Sequence, residues 1–513
     1  MTAAPNQVDR TLLPRWRTWR DALALGEVAS VPTGPVISLP SLDRPAREWR
    51  SAGGAKHQAV ELVAAALVTG SLAHPDAGRA ANSLVTAPGV APLQIAMARQ
   101  YLGSPDRGSD RDDVGAGERA QRRIAILRGV VRREPRNAVR WVDLGREYLV
   151  LGLIERAGRC LRVALALRPD NRFILRSSVH LFAHVGDIPA AHRVLNRPVG
   201  EVDPWLLSTR IALSGGGGSL VRHARRMLAD GHLPSWHAGE LAGVLATLEL
   251  SAGKSRDGRA LLRRALINPT ENVLAHAVWV AERGGVDVQI PMDGRPQRPY
   301  EALARTFERE LRWSEASDAA RQWLSDQPFA LDAAVCGGLY ALARDDFSLA
   351  ADVASEGLRA NREDPTLLNN RAFARANLGE LGPACEDLMQ LRKGDAGPIC
   401  RCCAAATAGL VLFRSGAHAE GAGMYLRAIG NLQRLRRPEL VARAAAHLAS
   451  EEWRAGTGKE DEARGRARAA MARTQDPATL EVCERLLVGI GAGPPPLPPE
   501  LPTRQAIAGL LPA

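Results

Sequence analysis

The strongest constraint in this sequence is a run of bulky and small residues between positions 138 and 171, at the spacing of two packed helices. Trp141, Leu144, Tyr148 and Leu161 are large side chains at helical intervals, so two helices joined by a short turn would bury them along one seam. Small residues fall where the two backbones must approach, and a proline blocks continuation of the second helix. These residues are Gly145, Ala157, Ala164 and Pro169.

This pattern resembles the tetratricopeptide repeat (TPR), a helix-turn-helix unit of about 34 residues that stacks into solenoids. Weaker copies of the repeat pattern follow it. One covers residues 172–203, and a second series of repeats starts at Tyr300. The resemblance implies an all-α fold, a right-handed superhelical solenoid of TPR-like repeats in two arcs. An irregular N-terminal extension and a Pro-rich C-terminal tail would flank it.

Breaks in the helical pattern predict five segments. Pro291, Pro296 and Pro299 make a continuous helix through the middle of the chain implausible, so a linker is expected there. The repeat register before residue 118 and between 205 and 285 stays open. The predicted segments are an irregular extension (1–55), an N-terminal TPR-like array (56–285, best repeat 138–171), a linker (286–298), a C-terminal TPR array (299–490) and a Pro-rich tail (491–513).

Composition adds little about partners. The formal charge is +11, from 67 basic and 56 acidic residues, yet only four of the basic residues are lysines. Such an arginine excess, with abundant alanine, glycine and proline, is what a GC-rich genome produces without selection for a ligand. Charge of this origin bears on solubility and non-specific association.

The sequence predicts a cytoplasmic protein with no membrane partner. Its first residues, MTAAPNQVDR, have neither a basic leader nor an apolar stretch, so no secretory signal is expected. The longest apolar run, residues 59–73, contains Glu61 and is too short to span a bilayer. The seven cysteines form no disulfide framework.

The resemblance also implies a function: a non-catalytic scaffold, adaptor or regulatory subunit that binds a peptide or helix of a partner protein in a concave groove. First helices of the pairs would line this groove. For any single position, packing against another helix of the same chain is an equally good interpretation. The predicted groove residues are Val142, Arg146, Leu149, Arg176, His180, His184, Arg305, Asn369, Phe373 and Phe413.

No residue pattern in the sequence indicates a metal site, a cofactor site or a catalytic site. His180 and His184 share a helix face at i, i+4, but no third ligand is near them in sequence, which favours ordinary polar contacts. Cys400, Cys402 and Cys403 lack a second cysteine pair, so small buried cysteines explain them better than zinc. Phosphate-binding glycine loops and the GxSxG and HExxH motifs are missing from the sequence.

An alternative function is association with RNA or DNA through an arginine-rich helix at residues 119–136. Phosphate contacts need such clusters, but no free aromatic side chain accompanies this one for base stacking, which favours a solvated helix face. Self-association through an exposed terminal repeat is also open. The residues of the alternative patch are Arg119, Arg122, Arg123, Arg132 and Arg133.

Overall fold

The computed structural model describes residues 42–69, 74–102, 116–197, 199–214, 218–233, 235–267, 269–284 and 299–488. Every regular element in these ranges is an α-helix. The predicted linker and Pro-rich tail, and most of the predicted N-terminal extension, lie outside them. The described residues divide into two compact units, one that ends at Arg119 and one that begins at Ala120. This division falls inside the predicted array at 56–285.

The smaller unit is a group of short helices around its own apolar core. Leu62 and Leu84 are fully buried in this core, and the Tyr101 hydroxyl donates a hydrogen bond to the His74 carbonyl at 3.0 Å. The segment predicted to be irregular (1–55) contains the helix Asp43–Ser51, because Pro45 lies in the first turn of that helix, where a proline does not interrupt it. The helices are α1 (Asp43–Ser51), α2 (Lys56–Thr69), α3 (Pro75–Thr86) and α4 (Pro92–Tyr101).

The larger unit begins after Arg119, within α5 (Ala116–Arg133), and continues with helices joined mostly by short turns. We call α6 to α15 the first array. Its helices are α6 (Ala138–Val150), α7 (Ile154–Leu167), α8 (Arg172–His184), α9 (Ile188–Leu195), α10 (Val199–Val202), α11 (Pro204–Ser214), α12 (Gly218–Ala229), α13 (Ser235–Ser251), α14 (Ser255–Ala265) and α15 (Glu271–Gly284).

The second array comprises the remaining described helices, which pair more regularly than those of the first. They are α16 (Tyr300–Arg309), α17 (Trp313–Asp326), α18 (Leu331–Ala343), α19 (Phe347–Ala360), α20 (Pro365–Asn377), α21 (Leu381–Lys393), α22 (Pro398–Arg414), α23 (His418–Arg434), α24 (Pro438–Ala455), α25 (Glu460–Met471) and α26 (Pro477–Val488).

Packing in the larger unit follows the order of a repeat solenoid. Each helix of the second array packs against the next, and the first helices of successive pairs, α16, α18, α20, α22 and α24, also pack against one another. In the unit with the clearest repeat pattern, a Cβ on Gly145 would lie 3.3 Å from the Ala157 carbonyl, so α6 and α7 approach as closely as the small residues predict. The TPR-like all-α solenoid is confirmed by these helix pairs.

Candidate functional site

In the first array, the predicted groove is filled by the second array. Val142 and Leu149 are buried, and they belong to one apolar cluster with Phe173, Trp205 and Phe329. Phe329 lies in the turn between α17 and α18 of the second array and is fully buried. The structure therefore places Val142 and Leu149 in a core shared by both arrays.

Polar and aromatic contacts also hold the second array against the groove of the first array. The Arg146 guanidinium donates a hydrogen bond to the Asp326 carbonyl at 2.7 Å, and Arg362 donates one to the Leu151 carbonyl at 3.1 Å. The rings of His180 and His184 meet the Phe329 ring edge to face, at centroid distances of 5.6 and 6.2 Å. Three predicted groove residues thus contact another part of this chain.

Arg176 belongs to a buried polar network instead of an accessible surface. Its guanidinium lies over the Trp205 ring at 4.7 Å and 3.9 Å from the Glu240 carboxylate. Glu240 also accepts hydrogen bonds from Thr270 and Asn272, at 2.7 and 3.0 Å. Arg176 is 5% exposed, so it stabilises the first array from inside.

Arg305 and Phe413 also have partners within the chain. Arg305 lies 3.6 Å from Glu301, one turn earlier in α16, and its guanidinium is 5.9 Å from the Trp323 ring. Phe413 is buried between α22 and α23, where its ring is 6.2 Å from that of Tyr425. The predicted register for α22 is therefore off at Phe413, which points toward the second helix of its own pair.

The second array contains a cavity of about 520 Å³ that is lined mostly by the first helices of its pairs. Asn369, Phe373 and Asn377 of α20 border it, so two of the predicted groove residues reach this space and Asn377 joins them. We call it the second-array cavity. Its other main contributors are Leu342 and Phe347 near the α18–α19 turn, Cys403 and Thr407 of α22, Arg443, His447, Glu451 and Arg454 of α24, and Val482, Arg485 and Leu486 of α26.

The cavity has an excess of positive charge. Arg414, at the end of α22, binds Glu451 through two hydrogen bonds of 2.7 and 2.9 Å. Arg454 lies 3.9 Å from the same carboxylate, and Arg443 donates to the Thr479 hydroxyl at 3.1 Å. Among the described residues, Arg443 has no carboxylate partner. Asp345 also lines the cavity and pairs with Arg485, so among the described residues both lining carboxylates already have guanidinium partners, and Arg443 is paired with neither.

The polar lining also offers hydrogen-bond donors. Asn369 accepts a hydrogen bond from Thr407 at 2.9 Å through its carbonyl oxygen, which leaves its amide nitrogen available. The Asn370 amide nitrogen is buried at the cavity and finds no acceptor in the part of the chain that the structure describes. Buried donors without acceptors cost free energy, so they favour a ligand that supplies oxygen atoms.

His447 is the aromatic centre of this cavity and is held neutral. Its ring meets Phe373 edge to face at 5.1 Å. Removal from water, together with Arg443, Arg454 and Arg414, lowers the pKa of His447 to about 4. The neutral imidazole keeps this wall apolar near pH 7, beside the guanidiniums.

Helix α26 closes one side of the cavity by reaching back across the second array. Glu481 accepts a hydrogen bond from the Trp313 indole at 3.1 Å, and Arg485 forms an ion pair with Asp345 at 3.0 Å. Val482, Arg485 and Leu486 face the cavity from the same helix. The space is consequently bounded on several sides, which suits a short segment of a ligand better than a flat interface.

The sequence analysis missed the contribution of α24. Arg443, His447 and Arg454 recur at i, i+4 and i+11 on an alanine-rich helix, so they share one face. The spacing of these three polar side chains is the sequence signal that identifies the face.

Four residues of the alternative nucleic-acid patch are exposed on α5: Arg122, Arg123, Arg132 and Arg133. Arg123 also lies 3.5 Å from Glu147. Arg119 is the last residue of the smaller unit and is partly exposed. The nearby Trp141 indole donates to the Pro135 carbonyl at 2.9 Å, which ties this ring to the repeat turn.

The described residues hold no group of three or more His, Cys, Asp or Glu side chains suited to a metal ion. Burial raises the pKa of the Cys400 thiol to about 11, which keeps this sulfur protonated near neutral pH. Within the described ranges, no helix combines the length and the apolar character needed to cross a membrane.

No protein-family model and no curated protein sequence matches this chain. Solved structures with some likeness include yeast Tom70, at 12% identity and a TM-score of 0.30, over 73% of this chain and 92% of that chain. The APC/C hetero-tetramer Cut9–Hcn1 gives 13% identity and a TM-score of 0.32, over 86% and 92%. The TPR domain of P58(IPK) gives 14% and 0.22, over 69% and 98%.

TM-scores this low do not establish a common arrangement of whole chains. The fold rests on this chain's own helix pairs, on the close approach at Gly145, and on the contacts between successive first helices. On those grounds the protein has a TPR-like all-α solenoid fold.

Proposed function

We propose that this protein is a non-catalytic interaction scaffold whose second array binds a peptide segment of a partner protein in the second-array cavity. The observation that carries the proposal is the cluster of guanidiniums from Arg443 and Arg454 beside Phe373 and His447. Charge-assisted hydrogen bonds to a carboxylate would satisfy the cluster, while the rings would receive an apolar neighbour on the same segment.

The charge balance favours an acidic segment. Arg414 already occupies both oxygens of Glu451 and Arg485 pairs with Asp345, so no carboxylate of the described residues pairs with Arg443. An Asp or Glu side chain from a partner would compensate this charge in a half-buried site, where the pairing is stronger than at the surface. Asn369 and Asn370 would donate to the segment's backbone carbonyls.

The volume favours a short contact segment over a large rigid ligand. About 520 Å³ accommodates a few side chains, and α26 limits further penetration. In this view the first array acts as support, because Phe329 already fills its groove.

Nucleic-acid association through the exposed arginines of α5 is the second candidate. Arg122, Arg132 and Arg133 are exposed on one helix, where a phosphate backbone could reach them. Such binding would fall steeply with added salt and would not respond to changes in the second-array cavity.

Site-specific photo-crosslinking separates the two candidates. We would place p-benzoylphenylalanine at Asn377, which borders the cavity, in the full-length tagged protein within its native cell. We expect a nuclease-resistant protein adduct. Its yield should fall about tenfold with Arg443→Glu, because that change replaces attraction by repulsion.

Arg468→Glu is the matched control, because Arg468 is an exposed arginine of α25 outside the cavity. Its adduct yield should equal that of the unchanged protein. Equal yields for Arg443→Glu and the control would refute the cavity as the binding site. Adducts that disappear with nuclease would favour the arginines of α5.

A further inference from the structure

A second binding surface lies along α22 and α23, outside the second-array cavity. Two adjoining cavities of about 400 and 360 Å³ share Arg401, Ala405 and Asn431 and together form one channel, which we call the basic groove. The end of α21 borders it through Leu388, Leu391 and Arg392.

The groove is built from one stripe on each helix. From α22 it receives Pro398, Arg401, Ala405 and Ala408, and from α23 it receives Met424, Arg427, Asn431 and Arg434. Both stripes recur every three or four residues, so each follows a single helix face. The α22 stripe is about 15 Å long at 1.5 Å per residue, which matches roughly three turns of a docked helix.

Its charge is of one sign. Neither cavity is lined by an acidic residue. Arg427 donates to the Met424 sulfur at 2.8 Å, Arg434 donates to the Asn431 side chain at 3.1 Å, and Arg401 is exposed. Within the described ranges these three guanidiniums form no ion pair, so their charges are compensated only by solvent.

The floor between the arginines is aliphatic. Leu388, Leu391 and Ala408 are buried beneath it, and Ala404 and Ala405 present only a Cβ. Small side chains of this kind allow another backbone to approach closely. The lining contains no aromatic ring, which removes the stacking platform that single-stranded nucleic acid uses.

The groove and the second-array cavity use different faces of α22. Cys403, Ala406 and Thr407 face the cavity, whereas Arg401, Ala405 and Ala408 face the groove. The CxCC cluster sits at this division, with Cys402 in the groove lining and Cys403 in the cavity lining. Occupation of one surface therefore leaves the other accessible.

We infer that the basic groove docks an acidic amphipathic helix from a partner protein. Its apolar face would cover the alanine and leucine floor, and Asp or Glu residues on its flanks would pair with Arg401, Arg427 and Arg434. The inference goes beyond the proposed function, since it concerns a separate surface and stands if the cavity binds nothing.

The test is a selection from a displayed library of helical peptides, about five turns long, against the full-length protein. Enriched peptides should carry apolar residues at i, i+3 or i+4, and i+7, flanked by acids. Arg401→Glu with Arg427→Glu should weaken their binding about tenfold or more. Ala405→Trp should also weaken it, because the indole fills the groove while every charge remains.

Two controls keep the outcome decisive. Arg468→Glu changes an exposed arginine outside the groove, and Arg443→Glu changes the second-array cavity, so both should leave peptide binding unchanged. Circular dichroism and thermal melting of each variant check that it is folded. The inference is overturned if no acidic amphipathic sequence is enriched, or if folded Arg401→Glu, Arg427→Glu protein binds the enriched peptides normally.

The last part of the test measures binding of a single-stranded RNA and a DNA oligonucleotide of the same sequence to the same variants. Binding of either oligonucleotide with the same dependence on Arg401 and Arg427, and tighter than that of the peptides, would also overturn the inference. It would assign the groove to phosphate recognition.

Discussion

The first and second arrays are assembled from similar helix pairs, yet the groove of one is filled by the chain itself and that of the other is open. The surroundings of two phenylalanines show the contrast between the two grooves. Phe329 is 0% exposed and packs among residues of α6 and α8, while Phe373 borders the second-array cavity and is partly exposed. Groove-facing positions of first helices, such as Val142 in the first array and Asn369 in the second, can thus be buried in a core or line an open cavity, according to which other part of the chain packs against them.

The largest effect expected from this contrast is on stability. Phe329→Ala should lower the free energy of unfolding by about 3–5 kcal/mol, because it empties a core shared by two arrays. Phe373→Ala should cost only about 1 kcal/mol, since its ring is partly exposed to the cavity. Chemical denaturation followed by circular dichroism measures both changes.

The same two variants also test binding, and here the larger effect is expected from Phe373→Ala. Phe373→Ala should reduce crosslinking at Asn377, and Phe329→Ala should not do so under conditions where it is folded. Equal losses of stability would show that the two grooves are equally buried, which would remove the contrast between the arrays.

A smaller effect is expected at the turn where the arrays touch. Gly152 has φ of 66°, and a Cβ there would lie 2.6 Å from the Arg359 carbonyl of the second array. Gly186 occupies the next repeat's turn with φ of 80° and has nothing within 4 Å. Both Gly→Ala changes carry left-handed strain of roughly 1 kcal/mol, and Gly152→Ala adds about 1–3 kcal/mol for the clash.

Parallel urea titrations of the two alanine variants give this difference directly. The Gly186→Ala variant controls for backbone strain, so only the excess reports on the contact between the arrays. Identical midpoints and slopes would mean that the turn at Gly152 is not held against Arg359 in solution.

The smallest effect concerns pH and the open cavity. The pKa of His447 is about 4 in the fold against about 6.5 when unfolded, so the unfolded chain binds more protons between these values. The stabilising effect of the neutral ring is present above pH 6.5 and is lost as pH falls toward 4. His447→Asn should remove this dependence, which we expect to be about 1–2 kcal/mol at pH 5, a pH that lies between the two pKa values.

Thermal melts of the unchanged protein and the His447→Asn variant at pH 7.5 and pH 5 give the change in stability with pH for each protein. The contribution of His447 is the difference between these two changes. Asp143, whose pKa burial raises to about 6, acts with the opposite sign and is common to both proteins. An unchanged pH dependence in the variant would indicate that His447 titrates normally and that water reaches its ring freely.

Helix positions could be predicted from sequence because their signals are local. The best predicted repeat, residues 138–171, corresponds to α6 at Ala138–Val150 and α7 at Ile154–Leu167, and the series expected from Tyr300 begins with α16. Turn glycines, prolines and the 3.6-residue apolar period act within a few residues of one another. Asn369 and Phe373, two of the predicted groove residues, border the second-array cavity, and a role for them in binding stays a prediction.

Site residues whose surroundings come from distant parts of the chain could not be predicted in this way. Arg146 contacts Asp326, a partner 180 positions away, and no periodicity in either segment records that contact. Arg176 has groove-like spacing but lies beneath Trp205 and beside Glu240. Phe413 differs for a local reason: it lies on the face of α22 that packs against α23, beside Tyr425, and is therefore buried inside its own helix pair.

The sequence by itself determined that this chain forms paired helices with close backbone contacts and a repeat order, because those properties follow from side-chain size and spacing over single turns. Only the tertiary structure decided which of the resulting surfaces remain accessible. Phe329 closes one groove, α26 bounds another, and Arg443, His447 and Arg454 give the latter its charge. Accessibility depends on burial by residues far along the chain, and burial is a property of the whole packed array that no local pattern contains.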